Sequence, residues 1–298
     1  MLVVGTFLAA LAVTAAAVVR IMVLRDPVAV ARGKNFKGVD LPIAGGLIIL
    51  LTYLCVEAVF AVMAGAARSL APGPISTVLS TAFGSAEHLG SAILVLGFCL
   101  LGMIDDFAGK NGEGSGEDSK GFRGHGRQLR KGVVTTGAIK AVGGLSLGLI
   151  VGVMFEASLL ASVLDAVLIV LAANALNLLD LRPGRCVKGF FLLWVPISLL
   201  TWTTPYLPAS VAVVAAAAVF LSSDLKEEAM LGDSGANLLG ALAGAGLAII
   251  TTLPAKFAAV CLLTLITIAS EKWSFSTVIE KARPLRWFDR LGRVREEI

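Results

Sequence analysis

Apolar residues fill this chain in long, unbroken blocks. Met1–Val19, Ile43–Gly65, Gly132–Phe155 and Val211–Leu221 are each nearly free of charge. A bilayer core takes roughly 20 apolar residues per helix, and helices satisfy their own backbone hydrogen bonds in lipid. A membrane barrel would alternate apolar and polar positions along each strand, which these blocks do not. Nine apolar segments can be marked, at 1–24, 43–66, 88–104, 133–155, 158–179, 187–203, 208–223, 235–253 and 256–271. The pattern predicts an all-α, polytopic integral membrane protein of about nine transmembrane helices.

The polar stretches sort into two sets. One holds 25–42, 105–132, 180–186, 224–234 and the tail 272–298; the other holds 67–87, 156–157, 204–207 and 254–255. Of 25 Lys plus Arg, 22 fall in or next to the first set, leaving Arg68, Lys140 and Lys256. Basic residues stay on the cytoplasmic side, so the N-terminus is expected outside and the C-terminus in the cytoplasm of a cell (inner) membrane. Arg20, Arg25, Arg32, Lys34 and Lys37 follow the first segment, with no basic stretch before it. That order marks an uncleaved first helix, not a secretory signal. No internal repeat or soluble domain is visible, so 1–298 reads as one membrane-embedded domain with a basic tail at 272–298.

Composition sharpens this picture. Hydrophobic residues make up 57% and charged ones 15%, against about 25% charged in an ordinary soluble domain; mean hydropathy is +0.87. The net charge of +4 would suit a nucleic-acid partner, but its clustering between apolar blocks points to membrane topology and no nucleic acid. Cys55, Cys99, Cys186 and Cys261 form no C-x-x-C pair and read as packing residues. The stretch 109–126 is Gly- and Ser-rich, lacks the G-x-x-x-x-G-K-[ST] order of a phosphate loop, and reads as a mobile connection.

Candidate chemistry gathers at helix ends of the first set. The third segment closes on Asp105-Asp106. Two carboxylates there are costly unless paired, metal-bound or used, and the negative end of their own helix adds to the cost. Asn174, Asn177 and Asp180 stand three residues apart, roughly on one helical face. Arg182, Arg185 and Lys188 follow, and arginine forks suit phosphate oxygens. Gly232-Asp233-Ser234-Gly235 opens the eighth segment, where Asp233 is either a cation ligand or the helix N-cap. Lys37, before Pro42 and Gly45-Gly46 in the first loop, is a further candidate phosphate contact.

In this order the four segments resemble the polyprenyl-phosphate N-acetylhexosamine-1-phosphate transferase (MraY/WecA-like) family over about residues 1–275. Pro42–Gly46, Asp105-Asp106, Asn174–Asp180 and Gly232–Gly235 carry the resemblance. It implies an enzyme that moves a sugar-1-phosphate from a UDP-sugar to polyprenyl phosphate, with Mg²⁺, for a cell-envelope polymer such as peptidoglycan. On that mapping Asp105 positions the lipid phosphate and Asp233 is the principal Mg²⁺ ligand. Asp106 lies at the metal and diphosphate site, and Asn174, Asn177 and Asp180 line the cleft. A homodimer is implied by analogy.

The chain also departs from the family. Leu181-Arg182-Pro183-Gly184-Arg185 replaces the usual D-G-x-D-G continuation, and Met230 stands where an aromatic residue is expected. His88 and His125 lie outside the last inner loop, where the family often has histidines. The tail carries seven Lys or Arg from Lys272 onward with Trp273, Phe275, Trp287 and Phe288. It is expected to lie on anionic membrane lipids, or to lend Lys281, Arg283 or Arg286 as phosphate contacts. These departures keep a second function open, a non-catalytic relative that binds lipid phosphate or acts as a scaffold.

Overall fold

The computed structural model describes residues 2–25, 30–70, 73, 81, 84–108, 135–201 and 204–293. The mobile connection expected at 109–126 lies outside the described residues. Nine long helices are described: α1 Leu2–Arg25, α2 Gly45–Leu70, α3 Ala86–Ala108, α4 Thr136–Phe155, α5 Leu159–Asn177, α6 Arg185–Leu200, α7 Tyr206–Leu225, α8 Gly232–Ile250 and α9 Leu253–Ser270. Six of the described helices, α2–α5, α8 and α9, are long and apolar enough to cross a membrane. The protein is therefore membrane-embedded and mostly helical.

Two short strands add to the helical frame. Strands β1 (Ala31–Lys34) and β2 (Asp40–Ile43) pair antiparallel, with Ala31 opposite Ile43 and Lys34 opposite Asp40. Four-residue strands leave too short a pattern to read from sequence. Their turn is built locally: the Asn35 side-chain oxygen accepts the N–H groups of Lys37 and Val39, both at 2.9 Å, as Asn does in turns. Two short helices, α10 (Phe275–Lys281) and α11 (Arg283–Arg290), end the described chain.

Helix α8 is the hub. Its residues Ser234–Gly246 are all buried, and it packs against α2, α3, α5 and α6. Lipid offers apolar side chains no gain from association, so close helix contact relies on small residues. A Cβ on Gly240 would lie 2.4 Å from the Ala173 Cα of α5. That clearance explains the run of Gly and Ala in α8.

Charged groups also sit inside the bundle. Lys256, near the start of α9, bonds Asp165 of α5 at 2.8 Å and Glu156 at 2.6 Å. Both Lys256 and Asp165 are buried, at 1% and 0% exposure. This trio lies at the opposite end of the helices from Asp105 and Asp233.

Candidate functional site

The first polar loop folds back onto the segment before α8. Met230 N–H donates to the Pro42 carbonyl at 2.9 Å, and the Met230 carbonyl accepts from Ala44 and Gly45, each at 3.1 Å. A Cβ on Gly46 would strike Ser234 and the Gly235 nitrogen. The paired glycines thus admit the first turn of α8 against the start of α2. The turn into α8 uses Gly232 at φ +77°, a conformation that favours glycine.

Asp106 crosses from the end of α3 to the start of α8. Its two carboxylate oxygens accept the N–H groups of Asp233 at 2.9 Å and Ser234 at 3.0 Å. These are among the donors a helix start leaves unpaired. The expected electrostatic penalty at the end of α3 is met by the positive end of α8. This also corrects one reading of Asp233: Asp106, not Asp233, caps the helix, which leaves the Asp233 carboxylate available.

That carboxylate meets a lysine. Lys140, on the first turns of α4, donates to Asp105 at 2.7 Å and also to Asp233. Asn177, the last residue of α5, reaches Asp233 at 3.4 Å. Asp105, Asp106 and Asp233 line a cavity of about 230 Å³ with Arg32, Gly33 and Ile43 of the hairpin. A separate apolar groove of about 560 Å³ on another side of α3 is lined by Leu100, Met103, Ile104, Phe107 and Ala108.

Asp180, just past the end of α5, belongs electrostatically to this group. Loss of solvent around its carboxyl, then the charges of Asp224, Asp233 and Asp106, push it well above the usual carboxylate range. A backbone hydrogen bond from Gly232 works in the opposite direction. Asn237, one helical turn from Asp233 and on the same face, is 6% exposed. Its Nδ2 has no protein partner.

The structure gives the other expected contacts partners within the chain. Arg185 spends its guanidinium on Asp289, at 2.8 and 3.1 Å, and on Ser276. Lys188 donates to the carbonyls of Phe288, Asp289 and Leu291, the acceptors a helix end leaves open. Both basic side chains are therefore consumed by the tail. Asn174 bonds Thr267 of α9 at 3.1 Å, one turn deeper than the cavity. Arg182 lies over the Phe36 ring at 4.3 Å and near Glu280. Lys37 pairs with Glu227 at 2.7 Å.

Sequence reading missed Lys140 and Arg32. Lys140 had a signal, since it is one of the three cations outside the basic polar stretches. Arg32 lies among other basic residues and nothing singled it out.

A hard divalent cation fits this donor chemistry in part. Asp105 and Asp233 already converge on one positive charge, and carboxylate oxygens suit Mg²⁺. Among the described residues no group of three His, Cys, Asp or Glu side chains is placed to hold a metal alone. Mg²⁺ would take the rest of its shell from water and phosphate, as it commonly does. Asp106, committed to the α8 cap, is the less available carboxylate, which shifts its expected ligand part to Asp105.

The close approach of α3 to α8 gives a direct test. A Cβ on Gly102 would lie 2.4 Å from the Asp233 carbonyl and from Ser234 backbone atoms. Gly102→Val is expected to cost about 1–3 kcal/mol through overpacking, read as earlier unfolding in a detergent melt. An unshifted melt would mean the helices do not meet this closely.

Compared with family profiles, curated proteins and solved structures, the chain finds no match in any of the three.

Proposed function

We propose that this protein is a sugar-1-phosphate transferase acting on a polyprenyl phosphate and a UDP-sugar at the cytoplasmic face of the inner membrane. The observation that carries this reading is the convergence of Asp105, Asp106, Asn177, Lys140 and Asp233 from four helices. They meet at a polar cavity, and the same helix α3 carries a separate apolar groove. An acceptor with a phosphate head and an isoprenoid chain needs that pairing of surfaces.

In this reading an oxygen of the lipid phosphate attacks the β-phosphorus of the UDP-sugar. The bond from that phosphorus to the bridging oxygen breaks, UMP leaves with the oxygen, and a lipid diphosphate sugar forms. Mg²⁺ held by Asp233 and Asp105 would neutralise charge on the diphosphate. Asp105 and Asp233 fix the Lys140 ammonium, a donor for phosphate oxygens. Asn177 orients Asp233, and Asp106 locks the first turn of α8 so that these groups keep their spacing. Such positioning and electrostatics supply most of the catalysis in phosphoryl transfer. Arg32 at the cavity wall, held by Asp40 at 2.6 Å, is a further phosphate donor. The product would serve a cell-envelope polymer.

The test is UMP release by purified protein given undecaprenyl phosphate, Mg²⁺ and a panel of UDP-sugars. Release that requires the lipid, and stops on chelation, is the expected result. No release with any donor, while polyprenyl phosphate still binds, would replace this reading with the non-catalytic lipid-phosphate-binding one.

A further inference from the structure

The tail helix α11 has two unlike faces. One is fastened to the polar segment that follows α5. Asp289 is buried and forms a two-pronged pair with Arg185, and Arg293 bonds both Asp289 at 2.7 Å and the Pro183 carbonyl at 3.1 Å. Lys188 holds three carbonyls at the end of α11. Burial raises the Asp289 carboxyl, but the Arg185 hydrogen bond and the charges of Arg293 and Arg185 outweigh it and keep the group ionised.

The other face is exposed among the described residues. Arg283, Arg286, Trp287, Arg290 and Leu291 are all exposed, with Trp287 at 67%. At helical spacing Trp287 and Leu291 stand beside the three arginines. Trp273, 65% exposed, lies three residues beyond the end of α9, where an apolar membrane helix gives way to polar chain. Trp at that depth belongs in the headgroup layer. A short helix with arginines and a tryptophan on its outer surface, held next to a membrane helix end, fits an anionic lipid surface by charge and by shape.

We propose that α11 docks on anionic lipid and that its seating orders the Asp180 segment. The link is short along the chain: Asp289 holds Arg185 and Arg293 holds the Pro183 carbonyl, both within five residues of Asp180. Gly184, in the middle of that segment at φ +73°, donates its N–H to Asp224 at 2.8 Å. The segment is thus held from the tail on one side and from α7 on the other. Lipid composition would then set how firmly Asp180 is presented, whatever reaction the site performs.

The experiment uses the full chain in nanodiscs of zwitterionic lipid, with and without phosphatidylglycerol. Amide hydrogen exchange is followed over 178–188 and 283–293, and Trp287 emission is followed with brominated lipid as quencher. Anionic lipid is expected to slow exchange in both segments on the order of tenfold and to deepen quenching, as several arginines at a charged surface would. Raised salt should reverse both effects. The variant Arg283→Glu/Arg286→Glu/Arg290→Glu leaves the Asp289 clamp intact and should erase the lipid dependence. Trp287→Phe should remove the part of the quenching that anionic lipid adds, leaving the quenching of Trp273 in the headgroup layer. Equal exchange in both lipids would overturn the proposal, as would protection confined to 283–293 or retained in the triple variant. No turnover is measured, so this outcome is independent of the transferase reading.

Discussion

Lys256→Met is expected to lower the stability of the folded protein by about 3–5 kcal/mol, the cost of leaving a buried charge without its partner. The lysine ammonium lies within 3 Å of Asp165 and Glu156, and Asp165 is fully enclosed among α4, α5 and α9 residues. Removing the cation leaves the Asp165 carboxylate in an apolar bundle with no water to solvate it. Glu156 is more open, at 37% side-chain exposure, and contributes less. The double variant Lys256→Met/Asp165→Leu should regain most of the loss, because an apolar pair of similar size often replaces a buried ion pair with little penalty. Unfolding in mixed micelles by increasing denaturing detergent would measure both. If the single variant costs under about 1 kcal/mol, the trio is a solvated surface pair and the packing of α9 against α5 must rest on other contacts. α9 makes its remaining described polar tie to α5 through Asn174 and Thr267, so the prediction also asks how much one ionic latch contributes to seating a helix that is otherwise mostly exposed.

The membrane character was legible because burial in lipid imposes a length and a composition, and both are written as uninterrupted apolar runs. Nine of those runs match the nine long described helices to within a few residues. The hairpin was not legible, since four-residue strands leave too short a pattern, and its seating against the entry to α8, where Met230 and Leu231 meet residues 42–46, is a contact across the whole fold. For the site, sequence spacing placed Asp105, Asp106, Asn177 and Asp233 but could not say which carboxylate would face the cavity. That depends on a handover between helices: Asp106 satisfies donors of α8 and so frees Asp233. The partners of the basic residues after Asp180 were illegible for a related reason. Arginine forks suit phosphate, but they suit a buried aspartate equally well, and Asp289 lies more than 100 residues away. The two lysines that stood apart from the charge distribution, Lys140 and Lys256, proved to be the cations of two carboxylate clusters at opposite ends of the bundle. A cation that departs from the topological pattern has to be held by something specific, and that is a usable signal.

Asp233→Asn is expected to reduce turnover about 10³-fold, within the range seen when one preorganised electrostatic contact is removed, while the protein remains folded. Asparagine keeps the shape and still accepts from Lys140, but it drops the charge that fixes the ammonium and would hold a cation. Asp106→Asn should behave differently. Its two oxygens each accept a backbone N–H, and an amide can supply only one acceptor oxygen to that pair. It should therefore lose about 0.5–2 kcal/mol of stability, as lost helix caps do, along with turnover. The contrast separates two parts played by carboxylates five helices apart in sequence yet adjacent in space. Melting temperature and lipid-dependent UMP release, measured on the same preparations, report the two effects independently. Asp233→Asn with turnover near wild type would remove Asp233 from the chemistry and leave Asp105 and Lys140 as the pair to examine. Asp106→Asn with an unchanged melt would show that the start of α8 is held by Gly46 and Leu231 alone, through the 3.1 Å bond between them.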